Sequence, residues 1–179
     1  MSTTRAPERG GAQTESSRVR RAARGERLAG FIYGTIVVLS VIIGGARAYP
    51  HGPGHIAVLV VVTSVVFWLA HVYAHGLGHS VSHDEHLSLA ELGNIARREG
   101  SIVEAALPPV VALLLGAVGV MSTKASVWVA FGLGLAVLVA QGITFARVER
   151  LGRLGTLVVV AVNLCLGLLL IGLKLVVTH

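Results

Sequence analysis

With 179 residues, 54% of them hydrophobic and only 13% charged, the chain is far more apolar than a soluble domain of its size. Its mean hydropathy is +0.76, and the apolar residues come in blocks long enough to cross a bilayer, so a polytopic membrane protein is expected. The net charge of +6 is nearly all arginine, no basic face interleaves with aromatics, and nucleic acid is not an expected partner; a single cysteine, Cys165, excludes an intramolecular disulfide.

Residues 1–27 are polar, with Pro7, Gly10 and Gly11 and almost no large apolar side chain, and read as a disordered basic tail. Its seven arginines against Glu8, Glu15 and Glu26 suit a cytoplasmic leaflet rich in anionic lipid. The first span covers about 28–46, which rises about 29 Å as a helix, one hydrocarbon thickness. Gly30 and Gly34 form a Gly-x-x-x-Gly pair that permits close helix approach. Arg20-Arg21 before the apolar run and Ala46-Arg47-Ala48 after it could also be read as a secretory signal with its cleavage site. The length of the run and the spans that follow favour a retained helix.

A turn-rich loop with Pro50, Gly52, Pro53 and Gly54 leads to the second span, about 56–77. A polar segment follows. In it Ser88-Leu89-Ala90-Glu91 is a capping box, and Leu89, Leu92, Ile95 and Ala96 have helical apolar spacing. An amphipathic helix over about 84–100, lying at the cytoplasmic interface, is predicted. The third span covers about 102–120, with Glu104 near its start and Pro108-Pro109 bending it one turn later. The fourth covers about 127–146 with Gln141 and Thr144, and the fifth about 154–177 with Asn163. The fold class expected is therefore an all-α membrane protein, a bundle of five transmembrane helices with a cytoplasmic amphipathic helix.

Five crossings put the tail, the 78–101 segment and the 147–153 loop on one side, with twelve of the fifteen Lys and Arg residues. The positive-inside rule then places the N-terminus in the cytoplasm and the C-terminus outside a cell (plasma) membrane. No internal repeat is evident, which withdraws support from an inverted-repeat transporter.

Five of the eight histidines lie between Trp68 and His86. On a helix His71, His75 and His79 fall within about 80° of each other, and Ser64 and Trp68 share that sector. With the expected topology His71, Tyr33, Glu104 and Gln141 all lie in the cytoplasmic half of their spans, as the lining of a vestibule open to the cytoplasm would. Each is costly facing lipid, so they are expected to face one another or water.

Three readings of the histidines follow. In the plainest, most sit in water and headgroups and His71 bonds a neighbouring helix. In the second the face handles protons or cations: His71 and His75 titrate, and Glu104, Gln141 and Tyr33 line the vestibule. In the third, His-x-x-x-His spacing over His71, His75 and His79 holds a divalent metal, completed by Glu104 or Glu91, in a metal-dependent membrane enzyme. Phosphate loop, nucleophile elbow, Cys pair and paired Glu-x-x-His motifs are all missing, so no other catalytic machinery is expected. The second reading is the one preferred. A non-catalytic accessory subunit is the remaining alternative, and so small a bundle, with the lipid bilayer as its partner, favours a homo-oligomer.

The Arg/Ala/Val/Gly bias and the Trp68-Leu69-Ala70-His71-Val72-Tyr73-Ala74-His75 stretch resemble small uncharacterised integral membrane proteins of high-GC actinobacteria, a resemblance that implies no activity. Arg27-Leu28-Ala29-Gly30-Phe31, Phe67-Trp68-Leu69-Ala70-His71 and Leu107-Pro108 also resemble segments of the lysosomal and bacterial potassium/proton channels marked by an Arg-x-x-x-Phe-Ser-Asp motif. That similarity implies ion passage. The chain departs from the family at Ile32-Tyr33, which stands for Ser-Asp, and in its five expected spans instead of six.

Overall fold

The computed structural model describes the backbone of residues 9–83 and 88–177 and the side chains of 23–78, 80 and 88–169. Every regular element among them is a helix: α1 (Arg9–Ala48), α2 (Pro53–His83), α3 (Leu89–Glu99), α4 (Ser101–Glu104), α5 (Leu107–Ala117), α6 (Thr123–Val148) and α7 (Arg153–Val177). Three stretches are long and apolar enough to cross a membrane: Ala23–Ala48, Pro53–Gly78 and Thr123–Val148. Leu89–Glu104 and Leu107–Ala117 qualify only together, bent by 49°, and Arg153–Leu169 is a shorter apolar helix. The protein is thus an all-helical membrane protein with three such helices, or four if the bent pair is one span.

Two boundaries differ from the sequence reading. The stretch expected to be a disordered tail to residue 27 is helical from Arg9 onward. Its Ala, Arg, Gln and Glu residues have high helix propensity, and extending a helix already formed needs no new nucleus. The third apolar run, expected as one span over 102–120, breaks after Glu104 and restarts at Leu107. Pro108 and Pro109 cannot donate backbone bonds, so they sit in the first turn of the new helix, where no donor is required. The capping box is as expected: the Ser88 hydroxyl accepts from Glu91 N, and Ser88 N donates to Glu91 Oε2 at 2.9 Å.

Small residues govern how the helices meet. A Cβ on Gly30 would run into the Ser101 side chain, and one on Gly34 would lie 2.6 Å from Ile102 O, so the Gly-x-x-x-Gly pair docks α4 of the same chain. Leu39 fills the space over Gly134 of α6, and Val160 of α7 seats at Gly142. The core between α1, α2, α5 and α6 is built of apolar side chains, with Val38, Leu39, Ile42, Ile56, Val60, Leu113, Ala130 and Leu138 at zero exposure. α5 closes with Gly119 at φ +82°, a left-handed cap in which Val120 N donates to Leu115 O. α6 closes the same way with Arg150 at φ +53° and Leu151 N donating to Ala146 O.

Candidate functional site

The polar groups concentrate where α2 runs out toward α3, beside the N-terminal part of α1. Trp68 sets the local frame, its indole Nε1 donating to Ala96 O at 2.9 Å and tying α2 to α3. One turn on, the half-buried His71 packs its ring 4.5 Å from that of Phe67 and 6.3 Å from that of Tyr33 on α1. Its Nδ1 lies 3.2 Å from Phe67 O, and the next ring, His75, sits 6.3 Å from His71 with its own Nδ1 3.2 Å from His71 O. A carbonyl only accepts, so the Nδ1–H tautomer is the one that makes these two bonds.

His75 Nδ1 is also 3.3 Å from Glu99 Oε1. The Glu99 side chain is only 13% exposed, so its carboxylate depends on a partner, and the protonated imidazole is a suitable one. Sequence reasoning passed over Glu99. The signal was present: Glu99 lies four and three residues after Ile95 and Ala96, which puts the carboxylate on the half-buried side of α3.

Two further hydroxyls, on α2 and α4, are buried. Ser64, about two turns deeper than His71 in its sector of α2, and Ser101, at the start of α4, are each 2% exposed, and neither hydroxyl has a hydrogen-bond partner. Buried unsatisfied groups of this kind call for an explanation.

The five residues expected to share one vestibule divide into groups. Tyr33, His71 and His75 come together. Glu104 sits apart, held by Arg27 Nη2 at 2.8 Å, while Arg98 reaches Glu26 at 4.0 Å, so α1 is clipped to α3 and α4 by exposed ion pairs. Gln141 faces another way, into a groove of about 390 Å³ between α1 and α6 lined by Arg24, Arg27, Leu28, Phe31, Thr144 and Val148. Phe31 and Tyr33 are two residues apart on α1, roughly 200° round the helix, so α1 itself stands between Gln141 and the histidines.

For the metal reading, His71 and His75 are adjacent, but the side chain of His79 lies outside the described residues. Among the described residues no three His, Cys, Asp or Glu side chains gather as a metal would need. At the other end of the bundle a cavity of about 610 Å³ is lined by Tyr49, His51, Lys124 and Trp128 among others, and Tyr49 stacks on His55 at 5.1 Å.

Fold and site together define an all-helical membrane protein with a titratable cluster at one end of its bundle. No protein-family model, no curated protein and no solved structure matches the chain.

Proposed function

We propose that the chain is a multi-pass plasma-membrane protein that senses or passes protons or cations through the His71/His75 cluster. In this reading α1, α2, α4 continued by α5, α6 and α7 are the five spans. α3 lies at the cytoplasmic interface, the N-terminus is cytoplasmic and the C-terminus is outside. The arginine distribution supports that orientation. The exposed Leu89 and Leu92 of α3, beside Arg97 and Arg98, suit a helix resting among headgroups.

The observation that carries the proposal is the contact of His75 Nδ1 with the largely buried carboxylate of Glu99. With the imidazole protonated, the contact is an ion pair tying α2 to α3; with it neutral, only the carboxylate carries charge and the tie is weaker. His71 and the unpartnered Ser64 continue a polar column inward from it. Beyond Ser64 the core is closed by apolar side chains, which favours sensing over passage within one chain and leaves passage to a path between copies.

The test is a pH-dependent ion flux, or a pH-dependent spectroscopic change, in proteoliposomes. His71→Ala and His75→Ala should each abolish it. A response unchanged in both variants would remove the histidines from the mechanism. Elemental analysis supplies the counter-test, since a stoichiometric metal lost in His75→Ala would favour the metalloenzyme instead.

A further inference from the structure

The groove between α1 and α6 has its own chemistry. On α1 the lining residues Arg24, Arg27, Leu28 and Phe31 recur at i, i+3, i+4 and i+7, a single helix stripe. On α6 Gln141, Thr144 and Val148 make another. The helices run antiparallel, with Leu39 against Gly134 farther in and Phe31 beside Gln141 here, so depth can be compared along both. Arg24 lies about 10 Å nearer the bundle end than Phe31, and Gln141 about 10 Å deeper than Val148. From the mouth inward the groove therefore offers guanidinium groups, then a carboxamide, over an apolar floor of Leu28 and Phe31.

We propose that this groove holds an anionic phospholipid, a phosphatidylglycerol-like molecule whose phosphate meets Arg24 and Arg27. Its ester carbonyls, which only accept hydrogen bonds, take one from the Gln141 amide. Thr144 already donates its hydroxyl proton to Ala140 O and is left to accept. One acyl chain runs down from Leu28 and Phe31.

Charge complementarity is the ground for an anion. Arg27 is shared with Glu104 on the α4 side, and Glu26 reaches toward Arg98 on α3, so neither carboxylate lines the groove. Arg147, Arg150 and Arg153, against Glu149, add positive charge where α6 ends. Depth order is the ground for a lipid over free phosphate: an inorganic anion would use the mouth and leave Gln141 and the apolar floor without a function. The proposal rests on the membrane placement and the cytoplasmic orientation given above, and not on proton handling.

Retention of lipid by the purified full-length protein, measured by native mass spectrometry, tests it. The intact protein should keep phosphatidylglycerol about tenfold better than phosphatidylcholine, the scale on which one or two arginines act at an anionic membrane surface. Arg24→Gln should bring the two lipids to near parity, whereas Gln141→Leu, which removes a contact to ester carbonyls that both lipids carry, should lower retention of both and leave their ratio unchanged. Lys124→Gln, the same loss of charge at the opposite end, should leave the preference intact, as should His71→Ala. Equal retention of both lipids, an unchanged preference in Arg24→Gln, undiminished lipid retention in Gln141→Leu, or displacement of the lipid by inorganic phosphate would each overturn the proposal. Flotation of wild type and variants with phosphatidylcholine vesicles checks the placement beneath it: a wild-type chain that fails to float overturns the membrane reading and this one with it, whereas a lost pH response with lipid preference retained counts only against the histidines.

Discussion

Gly34 permits an approach that no side chain would, since a Cβ there would lie 2.6 Å from Ile102 O and 3.0 Å from Ile102 Cα, backbone atoms that cannot rotate away. Gly34→Ala should therefore lower stability in detergent by about 1–3 kcal/mol, as overpacking does. Gly44→Ala, which would meet nothing within 4 Å, is the matched control and should be close to neutral in thermal unfolding. Asn163 is buried in the α6/α7 interface, its amide donating to Leu138 O at 3.4 Å, a long bond. Asn163→Leu should consequently change stability by only about 0.6 kcal/mol or less, the usual worth of such contacts in membranes. At this scale the sequence was partly legible. The Gly-x-x-x-Gly spacing identified a close contact but not that its partner is α4 of the same chain. The histidine sector was visible from periodicity; the half-buried Glu99 shares the helical spacing of Ile95 and Ala96, yet a carboxylate at the polar end of a short helix reads as solvated.

The helices themselves follow from local chemistry where caps and prolines are explicit. Ser88 and Glu91 start α3, and Ser88→Ala should cost about 1 kcal/mol and fray its first turn, visible as faster amide exchange over Leu89–Leu92. Pro108 and Pro109 announced a bend, and the structure resolves it as two helices meeting at 49°. That angle was not legible, because it depends on Ala105 and Ala106 packing inward between α1 and the core. The helical extension of α1 back to Arg9 was missed for a related reason: composition reports whether a stretch can fold alone, not whether a helix next to it will propagate into it. Arg150 marks the reverse case, a left-handed cap without glycine. Arg150→Gly should raise stability by up to about 1 kcal/mol by relieving that backbone cost.

Across the whole molecule, α1 is the partition. It packs on α2, α4 and α6, and Tyr33 beside His71 and Phe31 in the Gln141 groove fall on different faces of it. The apolar blocks foretold helices in a membrane; they carried no information about which helix stands between which, since neighbour choice is settled by close approach at glycines. The proposed five-span topology predicts that reporters inserted at Gly119 report outside and those at Gly152 report inside. The most direct measurement of the proton-handling proposal is amide exchange of α3 in lipid nanodiscs, corrected for intrinsic rates, on both sides of neutral pH. The account predicts that α3 is better protected on the acid side, and that Glu99→Gln, which removes the carboxylate that His75 contacts, erases the difference. Protection of α3 that is the same at both pH values in the wild-type chain would contradict it.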